Sequence, residues 1–160
     1  MAVVTLAAFV LSMVPDSGDM QEESTNTGKS RIDKVLELEI YYSPACNCCK
    51  RYVAYLRGMN YTQDYIHYTV RQIETSEVVE IKNRFGIPRD LWSCHTIQAG
   101  GYFVEGHVPL EALQKLLIEK PDIKGIVLPK MPPGSPGMGG NKTEPFKIYY
   151  VSENKKGCFW

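Results

Sequence analysis

Alternating apolar and polar side chains first appear in residues 35–42, VLELEIYY, and predict a half-buried strand. Apolar side chains at helical spacing then predict a helix over residues 48–59. Residues 61–70, YTQDYIHYTV, predict a second strand, and residues 73–86 a second helix that closes at Gly86.

The same reasoning continues through the next fifty residues. HTIQA, residues 95–99, and YFVEG, residues 102–106, predict two strands, and the pair Gly100-Gly101 between them is typical of a hairpin turn. Residues 109–120 repeat leucine at helical spacing, with Pro109 expected at the first helical position. The order strand, helix, strand, helix, strand, strand, helix predicts an α/β fold of thioredoxin-like type: a small mixed sheet flanked by helices.

The ends of the chain differ in composition from this domain. Residues 1–14 carry no charge, and a helix of that length covers only roughly 20 Å of a ~30 Å hydrocarbon core, so we expect a signal-like or membrane-tether segment. Residues 15–31 are polar and predict a flexible linker. We therefore expect the domain to occupy residues 32–152 and a tail to occupy residues 153–160.

A long segment rich in proline and glycine follows the last predicted helix. Residues 128–145, LPKMPPGSPGMGGNKTEP, suit neither a helix nor a central strand. A structureless loop of this length in a small domain is usually functional or disordered. Residues 146–151, FKIYYV, then predict a last edge strand.

Charge bears on the class of partner. Eighteen basic residues balance eighteen acidic ones and no long basic run occurs, so the sequence offers no footprint for nucleic acid. The chain has five cysteines, and three of them fall within four positions. Disulfide scaffolds space an even set of cysteines along the chain, so this crowding favours a reactive or metal-binding cluster.

The crowded stretch SPACNCCKRY sits where a strand turns into a helix. Free backbone N–H groups at a helix N-terminus stabilise a thiolate. Cys46 and Cys49 have the spacing of a redox pair. Cys48 adds a third thiol, which a two-electron dithiol switch does not need and which fits a soft metal ion better. In a thioredoxin-like fold, Cys94 and His95 of WSCHTI would face this turn and complete a donor set suited to Cu(I) or Zn(II).

Other soft or titratable side chains are weaker metal candidates. Met131 and Met138 lie on the proline-rich segment, and His107 follows the hairpin. Cys158 has no partner nearby in sequence, and His67 lies in an alternating segment; we expect both to be unconnected to the site.

Four motifs in order, YYSPACNCC, GIPRDLWSCHT, GGYFVEGHVP and MPPGSPGM, resemble the thioredoxin-like metal-binding family known as domain of unknown function four-eleven, which includes periplasmic copper-resistance proteins. The resemblance covers about residues 35–151. It implies copper binding and copper tolerance outside the cytoplasm, with Cys46, Cys48, Cys49, Cys94 and His95 as ligands and Met138 as a weaker one.

We therefore expect a Cu(I)-binding protein that sequesters copper or hands it to a partner protein, in the periplasm or another extracytoplasmic place, with a membrane tether in residues 1–14 as one arrangement. Two alternatives stay open. One is a thiol–disulfide oxidoreductase that uses Cys46 and Cys49, with Cys48 or Cys94 resolving. The other is a structural zinc site, whose metal holds the domain folded.

Overall fold

A computed structural model describes residues 35–59 and 66–160. The expectations for residues 1–14 and 15–31 lie outside the described residues and stay predictions, as does the start of the domain at residue 32. All described elements belong to the compact unit Ile32–Trp160.

The described chain forms a mixed sheet with helices on its faces. Its strands are β1 (Leu36–Tyr42), β2 (Tyr68–Glu74), β3 (His95–Ala99), β4 (Tyr102–Glu105), β5 (Gly125–Val127), β6 (Tyr149–Val151) and β7 (Lys156–Cys158). Its helices are α1 (Asn47–Met59), α2 (Val78–Arg84) and α3 (Leu110–Glu119), with a short 3-10 turn at Arg89–Leu91. The predicted α/β class and the order of the first seven elements are confirmed.

The order of strands across the sheet is β2-β1-β3-β4-β5-β6-β7. Strand β1 runs parallel to β2 and antiparallel to β3, and β3 and β4 form the antiparallel hairpin. Gly100 and Gly101 turn this hairpin with φ of +56° and +93°, the left-handed conformations that a tight two-residue turn needs. The predicted hairpin is therefore confirmed.

Two apolar layers cover the two faces of the sheet. On one face, α1 and α3 pack on alternate strand residues such as Ile40, Ile97 and Val104. On the other, Phe103 and Val127 pack with residues that follow α2. Because neighbouring strand residues point to opposite faces, Phe103 and Val104 belong to different layers.

Several boundaries differ from the sequence prediction. Strand β2 begins at Tyr68 and runs through Glu74, because Tyr68–Glu74 pairs with the whole of β1; helix α2 therefore begins only at Val78. Residues 61–65 of the predicted second strand lie outside the described residues. Pro109 precedes α3 as its N-cap, and the first helical residue is Leu110.

The C-terminal part of the sheet differs most from the sequence prediction. Strand β5 has only three residues and begins with Gly125, where an added Cβ would come within 2.1 Å of the Phe103 carbonyl oxygen. Strand β6, predicted as an edge strand, lies between β5 and β7, so that prediction was wrong. The edge strand at this end of the sheet is β7, which forms inside the segment 153–160 that composition alone marks as a tail.

Candidate metal centre

The first wall of the site is the turn between β1 and α1. The Cys46 N–H donates to the Ser43 carbonyl at 2.8 Å, and the Cys46 carbonyl accepts from the Lys50 N–H at 3.2 Å, which places Cys46 at the helix N-cap. The Cys49 N–H donates to Cys46 Sγ at 3.3 Å. The helix N-terminus therefore supplies a donor to sulfur, as the sequence predicts.

The three cysteines of this turn are in two chemical states. Cys46 and Cys49 are joined by a disulfide. Cys48 is a free thiol, and its Sγ lies 3.3 Å from Cys46 Sγ. The disulfide uses two of the predicted ligand atoms, so reduction by two electrons would be needed before this turn could offer three thiolates.

The second wall is the start of β3. Cys94 Sγ lies 3.9 Å from Cys48 Sγ, and the Cys94 carbonyl oxygen lies 3.7 Å from Cys49 Sγ. The sulfur atoms of Cys46, Cys48, Cys49 and Cys94 all lie within 4.8 Å of one another. We call this set the cysteine cluster; it joins residues 48 positions apart in the sequence at the turn where β3 faces α1.

Two buried histidines stand behind Cys94. His107 Nε2 lies 3.0 Å and His95 Nδ1 lies 3.4 Å from Cys94 Sγ, and these three residues form a second group of close potential ligands. The His107 Nδ1–H donates to the Pro136 carbonyl at 2.5 Å. Because a carbonyl only accepts, this bond leaves the Nε2 lone pair facing the Cys94 sulfur.

Burial determines the protonation of these groups. It raises the pKa of the Cys94 thiol to about 12, with the neighbouring Cys48 thiol as the next cause. It lowers the pKa of His107, and it holds the pKa of His95 well below the usual range. The metal-free site therefore presents a protonated Cys94 and two neutral imidazoles at neutral pH, and a neutral imidazole is the form that binds metals.

The proline-rich segment packs against the cysteine turn. An added Cβ at Gly137, whose φ is +77°, would come within 2.7 Å of the Tyr52 backbone nitrogen and 3.0 Å of the Cys48 carbonyl oxygen. Arg51 Nε donates to the Gly137 carbonyl at 2.8 Å. Only glycine lets the segment lie this close to the first turn of α1.

The methionine candidates fall on either side of this contact. Met138 follows Gly137 directly and is partly buried, and its N–H donates to the Ser135 carbonyl at 2.9 Å. Met131 is also partly buried and has a left-handed φ of +45°. Metal ligation by either thioether stays a prediction.

The structure brings four of the five main ligand candidates, the cysteines, close to one another and places the fifth, His95, beside Cys94 together with His107. The hairpin predicted from the sequence carries a signal for the contact between Cys94 and His107. In the β3–β4 hairpin, Ala99 pairs with Tyr102 and Thr96 with Glu105. Continuing that register sets Cys94 opposite His107, so a correct two-residue turn already implies the contact. Cys158 is exposed on β7 and belongs to neither group of potential ligands among the described residues.

Comparison with known proteins agrees with this geometry. A model of a protein family of unknown function, DUF411, matches residues 91–138. These residues contain Cys94, His95, His107 and the segment that packs on α1. The family resemblance noted in the sequence is confirmed.

Solved structures similar to this chain include two forms of one protein. They are named copper resistance protein CopG, form 1 and form 2. Each is 29% identical with a TM-score of 0.68; the match covers 78% of this chain and 96% of form 2 or 95% of form 1. No protein with a curated description matches the chain. In the described part of the chain, no helix has the length and apolar character to cross a membrane.

The donor set of this site fits a soft metal ion. The sulfurs and neutral imidazoles are the ligand types that Cu(I) and Zn(II) favour, and neither group of potential ligands contains a carboxylate. The buried His95 Nε2 has no hydrogen-bond partner among the described residues. A buried donor atom without a partner is costly unless a ligand satisfies it.

Proposed function

We propose that the protein binds Cu(I) through Cys46, Cys48, Cys49, Cys94 and His95, and that it sequesters copper or hands it on in copper tolerance. The observation that carries this proposal is the convergence of four sulfur atoms within 4.8 Å of one another. Closely spaced thiolates bind Cu(I) in preference to harder ions. His107 adds a neutral nitrogen beside Cys94.

The similar structures support copper as the metal, because both are named copper resistance proteins. The sheet order β2-β1-β3-β4, with α1 between the parallel pair, also supports the thioredoxin-like fold predicted from the sequence. Such a fold puts a strand-to-helix turn and the entry of β3 side by side. A periplasmic or other extracytoplasmic location, a copper-receiving partner protein and a tether in residues 1–14 belong to the same proposal.

Metal analysis of the reduced protein, with and without added copper, tests the proposal. Reduced protein should retain Cu(I) against a competing chelator. The double variant Cys48→Ser/Cys49→Ser should lose high-affinity binding, because only two of the four sulfurs, those of Cys46 and Cys94, remain. Cys158→Ser is the matched control and should bind as the wild type does. Wild-type binding by the double variant would place the copper site elsewhere.

A structural zinc site predicts a different result in the same experiment. Purified protein would then contain zinc without added copper, and a chelator would abolish its cooperative thermal transition. A transition that survives chelation would argue against the zinc alternative.

The Cys46–Cys49 disulfide at the start of α1 favours a second candidate function, thiol–disulfide exchange. A substrate thiolate would attack one sulfur of the disulfide and form a mixed disulfide. A second substrate thiolate would then displace that cysteine, leaving an oxidised substrate and a reduced Cys46–Cys49 pair after transfer of two electrons. The reverse sequence would reduce a substrate disulfide.

Copper and exchange compete for the same sulfur atoms, which separates the two functions. We expect weak reduction of insulin disulfides by the metal-free protein and near-complete loss of that activity with one equivalent of Cu(I). Turnover as fast as that of a dedicated oxidoreductase, together with normal copper binding by Cys94→Ser, would favour the enzyme.

A further inference from the structure

A buried ion pair lies on the face of the sheet opposite α1, behind the cysteine cluster. Lys82 Nζ of α2 lies 2.5 Å from Glu105 Oε1 of β4, and the two side chains are only 4% and 0% exposed. Both elements approach β3, since Thr96 pairs with Glu105 and α2 packs against β3. The proposed copper site uses neither charge, so their burial needs another explanation.

Glu105 is bonded to the strand that carries the copper ligands. Its Oε1 accepts from the Ser93 backbone N–H at 2.5 Å, and its Oε2 accepts from the Thr96 hydroxyl at 2.6 Å. Lys82 Nζ donates to the same Thr96 hydroxyl at 3.1 Å. The Glu105 carboxylate therefore accepts hydrogen bonds from both Ser93, which precedes Cys94, and Thr96, which follows His95.

Gly106, the residue after Glu105, also contacts the start of β3. The Gly106 N–H donates to the His95 carbonyl at 3.0 Å. An added Cβ at Gly106 would come within 2.7 Å of Ser93 Oγ and 2.5 Å of the Leu128 carbonyl oxygen. The segment Glu105-Gly106-His107 thus contacts Ser93, His95 and Cys94 in turn.

We propose that Glu105 is a positioning residue for Cys94: through the Ser93 N–H it fixes the backbone from which the Cys94 sulfur reaches the cysteine cluster, and Lys82 balances its buried charge. This inference rests on the proposed copper function. Glu105 does not touch the metal. It acts as outer groups do in metal sites, by fixing the orientation of a ligand.

Two double variants test the hydrogen bonds that Glu105 makes to Ser93 and Thr96 apart from its charge. In Lys82→Met/Glu105→Gln, both charges are removed, but the amide oxygen can still accept from the Ser93 N–H and the amide NH2 can donate to Thr96. In Lys82→Met/Glu105→Leu, both charges are removed and no acceptor remains. Replacement of a whole buried pair by uncharged residues of similar volume is often tolerated, so both variants should fold.

The measurements are Cu(I) affinity of the full reduced chain against a chromophoric chelator, the thiolate-to-copper absorption in the near ultraviolet, and the thermal transition without metal. We expect the glutamine variant to match the wild type. The leucine variant should lose about 10- to 100-fold in affinity, the range typical of lost outer contacts, and its absorption should change. A purely structural role would move the thermal transition and leave the absorption alone.

Equal affinity and absorption in the two double variants would overturn the inference, whether both bind strongly or both bind weakly. Thr96→Val, which removes one bond that orients Glu105, is the second test if the leucine variant does not fold. Thr96→Val should lower Cu(I) affinity by less than the leucine variant does and should change the near-ultraviolet absorption in the same way. Wild-type affinity and absorption in Thr96→Val would again overturn the inference. If the wild type itself binds no Cu(I), the proposed function fails, and that result is distinct from either of the others.

Discussion

The two walls of the cysteine cluster are built differently. The turn before α1 carries Cys46 and Cys48 partly exposed and holds a disulfide that can open. The wall at β3 carries Cys94 with two fully buried histidines, backed by a buried ion pair. The turn before α1 can change its redox state, whereas the wall at β3, called the rigid wall below, keeps its buried contacts. This division suits a site that takes up and releases a soft ion.

The difference follows from where each wall lies in the fold. At a helix N-cap, a backbone N–H of the same turn can donate to the sulfur, as the Cys49 N–H does to Cys46 Sγ. The entry of an interior strand is enclosed on both faces, and each polar group there needs a partner within the protein. The wall at β3 therefore depends on partners that β4 and α2 bring to it.

The largest expected effect breaks the rigid wall. Lys82→Met leaves the Glu105 carboxylate buried without its cation and should lower the free energy of unfolding by about 3–5 kcal/mol. Lys50→Met, at the exposed pair with Glu74, is the matched control and should cost about 0–1 kcal/mol. Urea denaturation of the reduced, metal-free protein measures both. Similar losses in the two variants would mean that the buried pair has no special role.

Removing one sulfur from each wall tests which wall dominates metal affinity. Cys94→Ser should lower Cu(I) affinity by more than about 100-fold, the upper end of what outer contacts cost, because Cys94 joins the cluster to both histidines. Cys48→Ser should cost less, since Cys46 and Cys49 remain on its wall once reduced. Competition titrations rank the two variants, and the opposite ranking would make the turn the dominant wall.

Part of the proton competition should come from Cys94, in the wall at β3. The pKa of Cys94 is raised to about 12, so this thiol must release its proton whenever it binds Cu(I) below that pH. Apparent Cu(I) affinity should therefore rise with pH through the neutral range, by up to about tenfold per pH unit for each proton released. In Cys94→Ser that slope should be shallower. An unchanged slope would show that Cys94 is not a ligand.

The smallest expected effect lies outside both walls. Cys158 is exposed on β7, so Cys158→Ser should leave metal stoichiometry unchanged and alter the free energy of unfolding by no more than about 0.5 kcal/mol. Metal analysis and denaturation check this together. Loss of one metal equivalent would extend the site to the edge strand.

The sequence by itself determined the features that depend on neighbouring residues. Periodicity predicted β1, α1 and the β3–β4 hairpin, because strand and helix repeats are local patterns. The cysteines of the turn lie within four positions, so their convergence at a helix start could be predicted. The thioredoxin-like fold predicted from the sequence was also enough to expect Cys94 opposite them.

Only the tertiary structure decided the rest. The three-residue β5 and β7 have no periodicity of their own and form strands because the neighbouring strand supplies their hydrogen-bond partners. The pairing of Lys82 with Glu105 depended on how α2 packs over β3. No local sequence pattern relates the residues in such contacts. A charged side chain can be buried only where the fold brings a partner to it.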